Sequence, residues 1–360
     1  MFNDGWGSEG AAGRQKQERK RPMQKKMIAV GDNVVDCYLD DLVYYPGGNA
    51  VNVAVNCKRN GIEDVAYMGV FGSDSKAEHL KWALAREGVH FERSRTMIAP
   101  TGSPGVRLVD GDRVFVGGPR NTAQHIVRIR LTDEDLSYIG SFALCHTSCF
   151  SSIEPELSKM QKVCQVSFDF SERRDDAYLQ QVCPYLTYAF FSGSDLTEKE
   201  VKELMQRCHV LGTPVVGVTR GSKGASFSEN GAYYVQGIKP VEVIDTMGAG
   251  DSFIAGFLTR RIAGDAMAPA LDYAATVAAN SCRIHGSFGF SHCWYRKPAH
   301  LHELTDPDPE LKDSVRHSSY CLNLPDKESG YKPGLPECLK KASCGQFQWF
   351  WWYSPRSSEP

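Results

Sequence analysis

Met27–Gly31, Val65–Val70, Ala143–His146, Val166–Phe170, Tyr188–Ser192 and Val215–Thr219 are apolar runs of strand length. Helix-patterned segments fall between several of them: Ala50–Arg59, Lys76–Arg86, Glu154–Lys162 and Glu198–His209. A chain that alternates strands with helices must join neighbouring strands by crossovers. The pattern therefore predicts an α/β domain: a mostly parallel sheet flanked by helices in three layers. Two turns break the alternation. Asp110-Gly111 lies between Val106–Val109 and Arg113–Val116, and Asn230-Gly231 between Ala225–Ser228 and Ala232–Val235. Both turns demand positive φ and so read as tight hairpins. The first does not fit a βα unit and is expected to form a small β lid.

These elements occupy residues 27–289. Residues 1–26 are rich in Gly, Lys, Arg and Gln without apolar periodicity, which predicts a flexible basic extension. Residues 290–360 scatter Pro, Cys, His and Trp with no period and read as an atypical, poorly ordered tail. A formal net charge of −2 gives no electrostatic reason to expect nucleic acid or a membrane as partner. No apolar run is long enough to span a bilayer, and the N-terminus lacks the apolar stretch of a signal peptide. Twelve cysteines occur without a single C-x-x-C pair, which fits reduced thiols in the cytoplasm better than zinc or disulfides.

The strongest chemical signal is Val243-Ile244-Asp245-Thr246-Met247-Gly248-Ala249-Gly250-Asp251-Ser252-Phe253. An apolar strand end runs into two glycines and then into a helix over Ser252–Arg261. Glycine lets backbone N–H groups approach an anion where a helix start offers unpaired donors and the positive end of its dipole. That arrangement suits the charge on a transferring phosphoryl group. Asp251, at the helix start, is placed to accept the proton of an attacking hydroxyl. A bare Gly-x-Gly-Asp would more often be a turn and a cap; the longer string favours chemistry.

Asp245–Asp251 resembles the C-terminal signature of the ribokinase/PfkB carbohydrate kinases, and Gly47-Gly48-Asn49-Ala50-Val51-Asn52-Val53-Ala54 resembles their N-terminal one. The two stand in the right order about 200 residues apart, and the resemblance covers 27–289. It implies a ribokinase-like fold and transfer of the γ-phosphate of ATP, with Mg²⁺, to a hydroxyl of a small sugar. By the same resemblance Asp251 is the general base and Gly248, Ala249 and Gly250 form the anion hole. Asp36, Gly48, Asn49 and Asn52 contact the sugar; a carboxylate accepting two hydroxyl hydrogens is a sound way to orient a polyol. Thr219, Gly221 and Gly224, in Thr219-Arg220-Gly221-Ser222-Lys223-Gly224, resemble the nucleotide loop, and Thr246 joins them. This is not a P-loop, whose spacing and Lys-Ser/Thr ending are absent.

One departure from the family pattern concerns the metal. Where many members carry an Asn, this chain reads Ser192-Gly193-Ser194-Asp195-Leu196-Thr197-Glu198. Asp195 and Glu198 are the candidates to hold Mg²⁺ through water; a plain helix cap is the other reading.

Shorter phrases narrow the resemblance to the fructoselysine 6-kinase branch: Gly31–Asp36, Tyr45–Val55, Gly111–Phe115, Ser167–Ser171 and the domain end near His285-Gly286. The implied substrate is a glycated amino acid, a 1-deoxy-1-amino ketose. Arg113 on the lid is then a candidate for its carboxylate, against the plainer reading of a solvent-facing arginine. A kinase for another ketose or a ribose-like sugar, or a non-catalytic sugar sensor on the same fold, are the alternatives. A dinucleotide-binding G-x-G-x-x-G followed by an acidic residue is absent, which argues against a dehydrogenase. A homodimer is the one protein partner the sequence leaves open.

Overall fold

The computed structural model describes residues 26–109 and 112–294. Fourteen strands are described: β1 (Lys26–Gly31), β2 (Val34–Tyr38), β3 (Val43–Gly47), β4 (Asp64–Phe71), β5 (Arg95–Thr96), β6 (Gly105–Val109), β7 (Asp112–Gly117), β8 (Leu144–Ser148), β9 (Gln165–Asp169), β10 (Tyr188–Ser192), β11 (Val215–Thr219), β12 (Ala225–Glu229), β13 (Ala232–Gln236) and β14 (His292–Cys293). The helices are α1 (Asn49–Arg59), α2 (Ser75–Arg86), α3 (Ala123–Ile126), α4 (Asp133–Ile139), α5 (Leu157–Met160), α6 (Asp176–Val182), α7 (Glu198–Val210), α8 (Ala249–Ile262) and α9 (Met267–Ser281).

The large sheet has the order β13-β12-β11-β10-β9-β8-β1-β4-β5. It is parallel from β5 through β11, and β12 and β13 add an antiparallel edge. Side chains alternate between its faces as a pleated strand requires. In β1, Met27 and Ala29 join the core beneath α1, α2, α8 and α9, whereas Ile28 and Val30 join the core beneath α4 to α7. The three-layer expectation therefore holds.

From β1 the chain adds β4 on one side of the sheet, and from β8 onward it builds on the other. The carboxyl ends of β1 and β8 thus flank a topological switch point, where an open α/β sheet leaves a crevice for ligand. The second sheet, ordered β14-β3-β2-β6-β7, takes β2, β3, β6 and β7 from the chain between β1 and β8 and β14 from after α9, and it forms the lid. β6 and β7 pair antiparallel as expected, and the Asp110-Gly111 turn between them lies outside the described residues.

Apart from helices α3, α4, α6 and α9, which the sequence pattern did not mark, the structure differs from the sequence reading in four places. The β2–β3 hairpin was not expected, and it puts Asp36 in mid-strand. The segment Glu154–Lys162 forms only a 3₁₀ turn (Glu154–Glu156) and the single turn of α5, its first turn interrupted by Pro155. Helix α8 starts three residues before Ser252, because Gly248 takes the left-handed conformation that ends the preceding loop (φ 70°). Finally, β14 pairs with β3, and Trp294 N–H donates to Leu42 O at 3.0 Å. The folded part thus extends to at least Trp294; the rest of the expected tail and residues 1–25 lie outside the described residues.

Helix α8 is buried almost all round, as a central helix must be. Phe257 sits at its middle, fully buried, with its ring centroid 4.9 Å from Phe227, 5.8 Å from Phe190 and 6.1 Å from Tyr188. Phe257→Ala should cost about 3–5 kcal/mol, measured as a lowered urea midpoint with the slope unchanged.

Candidate active site

Five segments meet at the crevice: the ends of β1, β8 and β9, the start of α1 and the start of α8. Gly48 precedes α1 at φ 103°, and a Cβ there would lie 2.8 Å from Asn33 Cα. Glycine is required, so α1 has no side-chain cap of its own. Asp32, at the end of β1, supplies the charge instead. Its Oδ2 accepts from Asn49 N–H at 2.7 Å, and its Oδ1 accepts from Ser148 Oγ at 3.0 Å and Ser151 Oγ at 3.1 Å. A carboxylate at a helix start satisfies free N–H groups and the dipole together. Here it also ties β1 to β8 across the switch point.

Asn49 and Asn52 project from the first turn of α1 toward Asp251. Asn49 Nδ2 donates to Asp251 Oδ1 and to Asp169 Oδ2, each at 2.8 Å, and Asn52 Nδ2 donates to Asp251 Oδ2 at 2.7 Å. Asn49 Oδ1 lies 3.0 Å from His146 Nε2, and His146 Nδ1 lies 2.9 Å from Ser167 Oγ. Since Asn49 gives both its protons to carboxylates, its oxygen must accept. His146 therefore carries its proton on Nε2 and accepts from the Ser167 hydroxyl on Nδ1. Complete burial lowers the His146 pKa to about 3, so the ring stays neutral. The chain Ser167–His146–Asn49–Asp251 has one consistent proton order.

Burial raises the Asp251 carboxyl above the usual carboxylate range, while the bonds from Asn52 and Asn49 and the charge of Arg113 oppose that rise. A carboxyl raised in this way is a stronger base than a solvated one, which suits proton abstraction. Asp251 is the third residue of α8. Ala249 N–H turns back to Thr246 O, whereas the N–H groups of Gly250 and Asp251 find no backbone partner. A Cβ on Gly250 would meet nothing within 4 Å, so the space above these donors is open. A Cβ on Gly248 would collide with Ser287 Oγ at 2.1 Å. Unpaired donors at a helix start facing open space form an anion site.

The loop before that site is held from below and above. Buried Asp245 accepts from Met247 N–H at 2.9 Å, from Gly286 N–H at 2.8 Å and from the Tyr38 hydroxyl of the lid. Met247 packs with Tyr38 and Val106 in the lid's own core. Arg113 was expected either at the substrate's carboxylate or in solvent. Instead it reaches Thr246 O with Nη1 at 2.7 Å, and Thr246 Oγ1 donates to Asp112 at 3.0 Å. Thr246, expected at the nucleotide, thus turns to the lid.

Asp36 stands on β2 against Gly47, where a Cβ would meet Asp36 Oδ2 at 2.1 Å. Burial pushes its carboxyl up to about 7; Arg113 opposes this, while Asp251, Asp245 and Asp32 add to it.

Thr219 ends β11, and Gly221 and Gly224 follow it, two strands along from Asp169 on the same sheet edge. Gly224 (φ 83°) brings the backbone against Gln236 O, where a Cβ would be 2.1 Å away, and Gly221 faces open space. The loop's glycines therefore suit a phosphate chain running along the row of strand ends.

The residues named for the metal have partners of their own. Asp195 is held by Arg174 in an ion pair of 3.0 Å, and Glu198 lies in the first turn of α7 behind its Thr197–Glu200 capping box. Neither is bonded to Asp251, and no three His, Cys, Asp or Glu side chains among the described residues group to hold a metal. A bound magnesium keeps most of its waters and leans on phosphates, so no protein cage is needed. Sequence reasoning also missed His146, Asp169 and Asp32 as parts of the site. Asp32 and Asp169 lay inside phrases singled out for their resemblance, but His146 carried no signal beyond its strand.

Residues 24–290 match the model of the pfkB family carbohydrate kinases. The chain is 46% identical over 268 residues to the fructosamine kinase FrlD of Bacillus subtilis, covering 74% of this chain and 94% of that one. It is 35% identical to the fructoselysine 6-kinase of Escherichia coli, covering 73% of this chain and all of the relative. Among solved structures, an Arabidopsis thaliana ribokinase complexed with ribose and ATP superposes with a TM-score of 0.62 at 21% identity, covering 73% of this chain and 94% of that one. A fructokinase with bound ATP from Xylella fastidiosa gives a TM-score of 0.63 at 19% identity over 74% and 94%.

The buried Asp36 carboxyl generates a stability test. Its folded pKa is raised, so the folded state holds the proton more tightly than the unfolded one. Stability is full below about pH 4 and is lost as the pH rises toward about 7. Asp36→Asn cannot ionise and escapes that loss. Its Tm should exceed wild type by at least about 2 °C at pH 8, with the gap closing at pH 4 in a thermal scan.

Proposed function

This chain belongs to the pfkB family of carbohydrate kinases, and from that premise we propose that it transfers the γ-phosphate of ATP to the 6-hydroxyl of fructoselysine or a closely related glycated amine. The donor-and-base geometry around Asp251 carries the catalytic part of this reading; the two relatives at 46% and 35% identity support the choice of substrate.

The sugar lies between Asp36 of the lid and Asp251 of α8, with its reacting hydroxyl on the Asp251 carboxylate. Asn49 and Asn52 hold that carboxylate from both sides, so its remaining lone pairs face the substrate. As the hydroxyl attacks, Asp251 takes its proton, and charge on the phosphoryl group meets the free N–H groups of Gly250 and Asp251. Mg²⁺ accompanying ATP supplies neutralisation of the phosphate charge. The lid, pinned by Arg113 and Asp112 to Thr246, keeps water from the transferring group.

Asp251→Asn keeps the shape but cannot take the proton. Its kcat should fall by roughly 10²–10⁴-fold while the far-UV circular dichroism spectrum shows the fold retained; a variant with a tenth or more of wild-type turnover refutes the base. For wild type, kcat/KM with fructoselysine, fructose and ribose in one preparation should favour fructoselysine on the order of 10²-fold or more. Equal use of fructose would overturn the narrow substrate and leave the sugar kinase standing.

His146 never reaches the sugar in this reading, and its effect runs through Asn49. His146→Leu leaves Asn49 free to rotate, so kcat should drop on the order of 10²-fold with KM little changed. The acid limb of the pH–rate profile should shift upward as Asp251 loses a donor, since losing a bond to the charged form raises a carboxyl pKa. His146→Gln, which keeps a donor near the same place, should recover part of both.

A further inference from the structure

The pocket carries more negative charge than a neutral sugar can use. Asp36 and Asp251 both feel the positive charge of Arg113. For Asp169 the two charges that act most strongly, Asp251 and Asp32, are both negative. Its partners are neutral donors, Ser171 N–H on Oδ1 and Asn49 Nδ2 on Oδ2, each at 2.8 Å. Each oxygen therefore keeps a lone pair, and the side chain is 9% exposed, at the crevice. A buried carboxylate whose strongest charged neighbours are negative is costly, and a ligand that carries positive charge offsets that cost.

A second observation points the same way. Asn52, 4% exposed, spends its amide nitrogen on Asp251, and its Oδ1 is buried without any partner. That acceptor is beside the same carboxylates and lacks a donor. A group carrying more than one N–H and a positive charge would satisfy Asp169 and help satisfy this site, whereas a single hydroxyl offers one proton and no charge.

We propose that Asp169 is the counter-charge for a protonated amine on the substrate, and that it sets a preference for 1-amino-1-deoxy ketoses over the parent ketoses. This rests on the reading above that the pocket takes a glycated amine. The spacing fits such a substrate. Asp169 and Asp251 both lie 2.8 Å from the one nitrogen of Asn49, so a cationic centre and a reacting hydroxyl at opposite ends of a single sugar can engage them together.

The test compares 1-amino-1-deoxyfructose with fructose, which differ only in an ammonium or a hydroxyl at C1, as substrates of the full-length enzyme. Wild type should prefer the amine, and Asp169→Asn should reduce the ratio of the two kcat/KM values on the order of 30-fold or more. Asp169→Glu, which keeps the charge, should retain a preference for the amine. If Asp169→Asn does not fold, Asp169→Ser gives the same comparison. A fall equal for both sugars would make Asp169 a mere support for Asn49 and overturn the proposal, as would an unchanged ratio in either neutral variant. A wild-type preference that ignores Asp169 sinks this inference alone. No wild-type preference for the amine sinks both it and the glycated-amine reading.

Discussion

One side-chain amide, that of Asn49, makes the site possible. Two carboxylates close together in a buried pocket repel each other and resist desolvation, and burial with the Asp251 charge pushes Asp169 up to about 7. Asn49 offers each of them one proton from a single nitrogen, so both can face the crevice. The amide can do so only in one of its two orientations, and the neutral His146 ring, itself locked by Ser167, selects it. A buried polar network of this kind holds its geometry when every member is satisfied. The one member with an unpartnered buried atom among the described residues is Asn52, at Oδ1.

The fold supplies the positions. Because β1 and β8 are neighbours while the chain departs from them in opposite directions, their ends are left without a covering connection. Asp32 closes the gap by capping α1 from β1 and binding Ser148 at the end of β8 and Ser151 after it. The same cap sets the start of α1, and with it the reach of Asn49 and Asn52. Asp251 comes from a helix nearly two hundred residues later, packed along α1 through the central apolar layer. The chemistry thus depends on the packing of two helices as much as on either motif.

How far the sequence revealed this differs by element. Strands buried on both faces were legible as apolar runs, and the two glycine motifs marked both helix starts that converge on the site. The β2–β3 hairpin was not legible, since Val34–Gly47 mixes tyrosines, acidic residues and a proline without clean alternation. Helix α9 escaped as well, because its alanines pack a helix face without a strong polar contrast. His146 and Asp169 could not be separated from ordinary core-strand residues, for their roles come from partners brought close only by the fold. Asp195, an acidic residue before a helix, looks the same in sequence whether it serves a metal or only the neighbouring-loop arginine with which it pairs.

The lid's attachments have a mechanical consequence. Its sheet includes β14, which enters the chain only a few residues after Gly286, the residue that grips Asp245. Tyr38, from the lid's central strand, grips the same carboxylate, and Met247 is wedged beneath. The lid and the loop ahead of α8 are thus tied through one buried carboxylate, so at that joint the position of either fixes the position of the other.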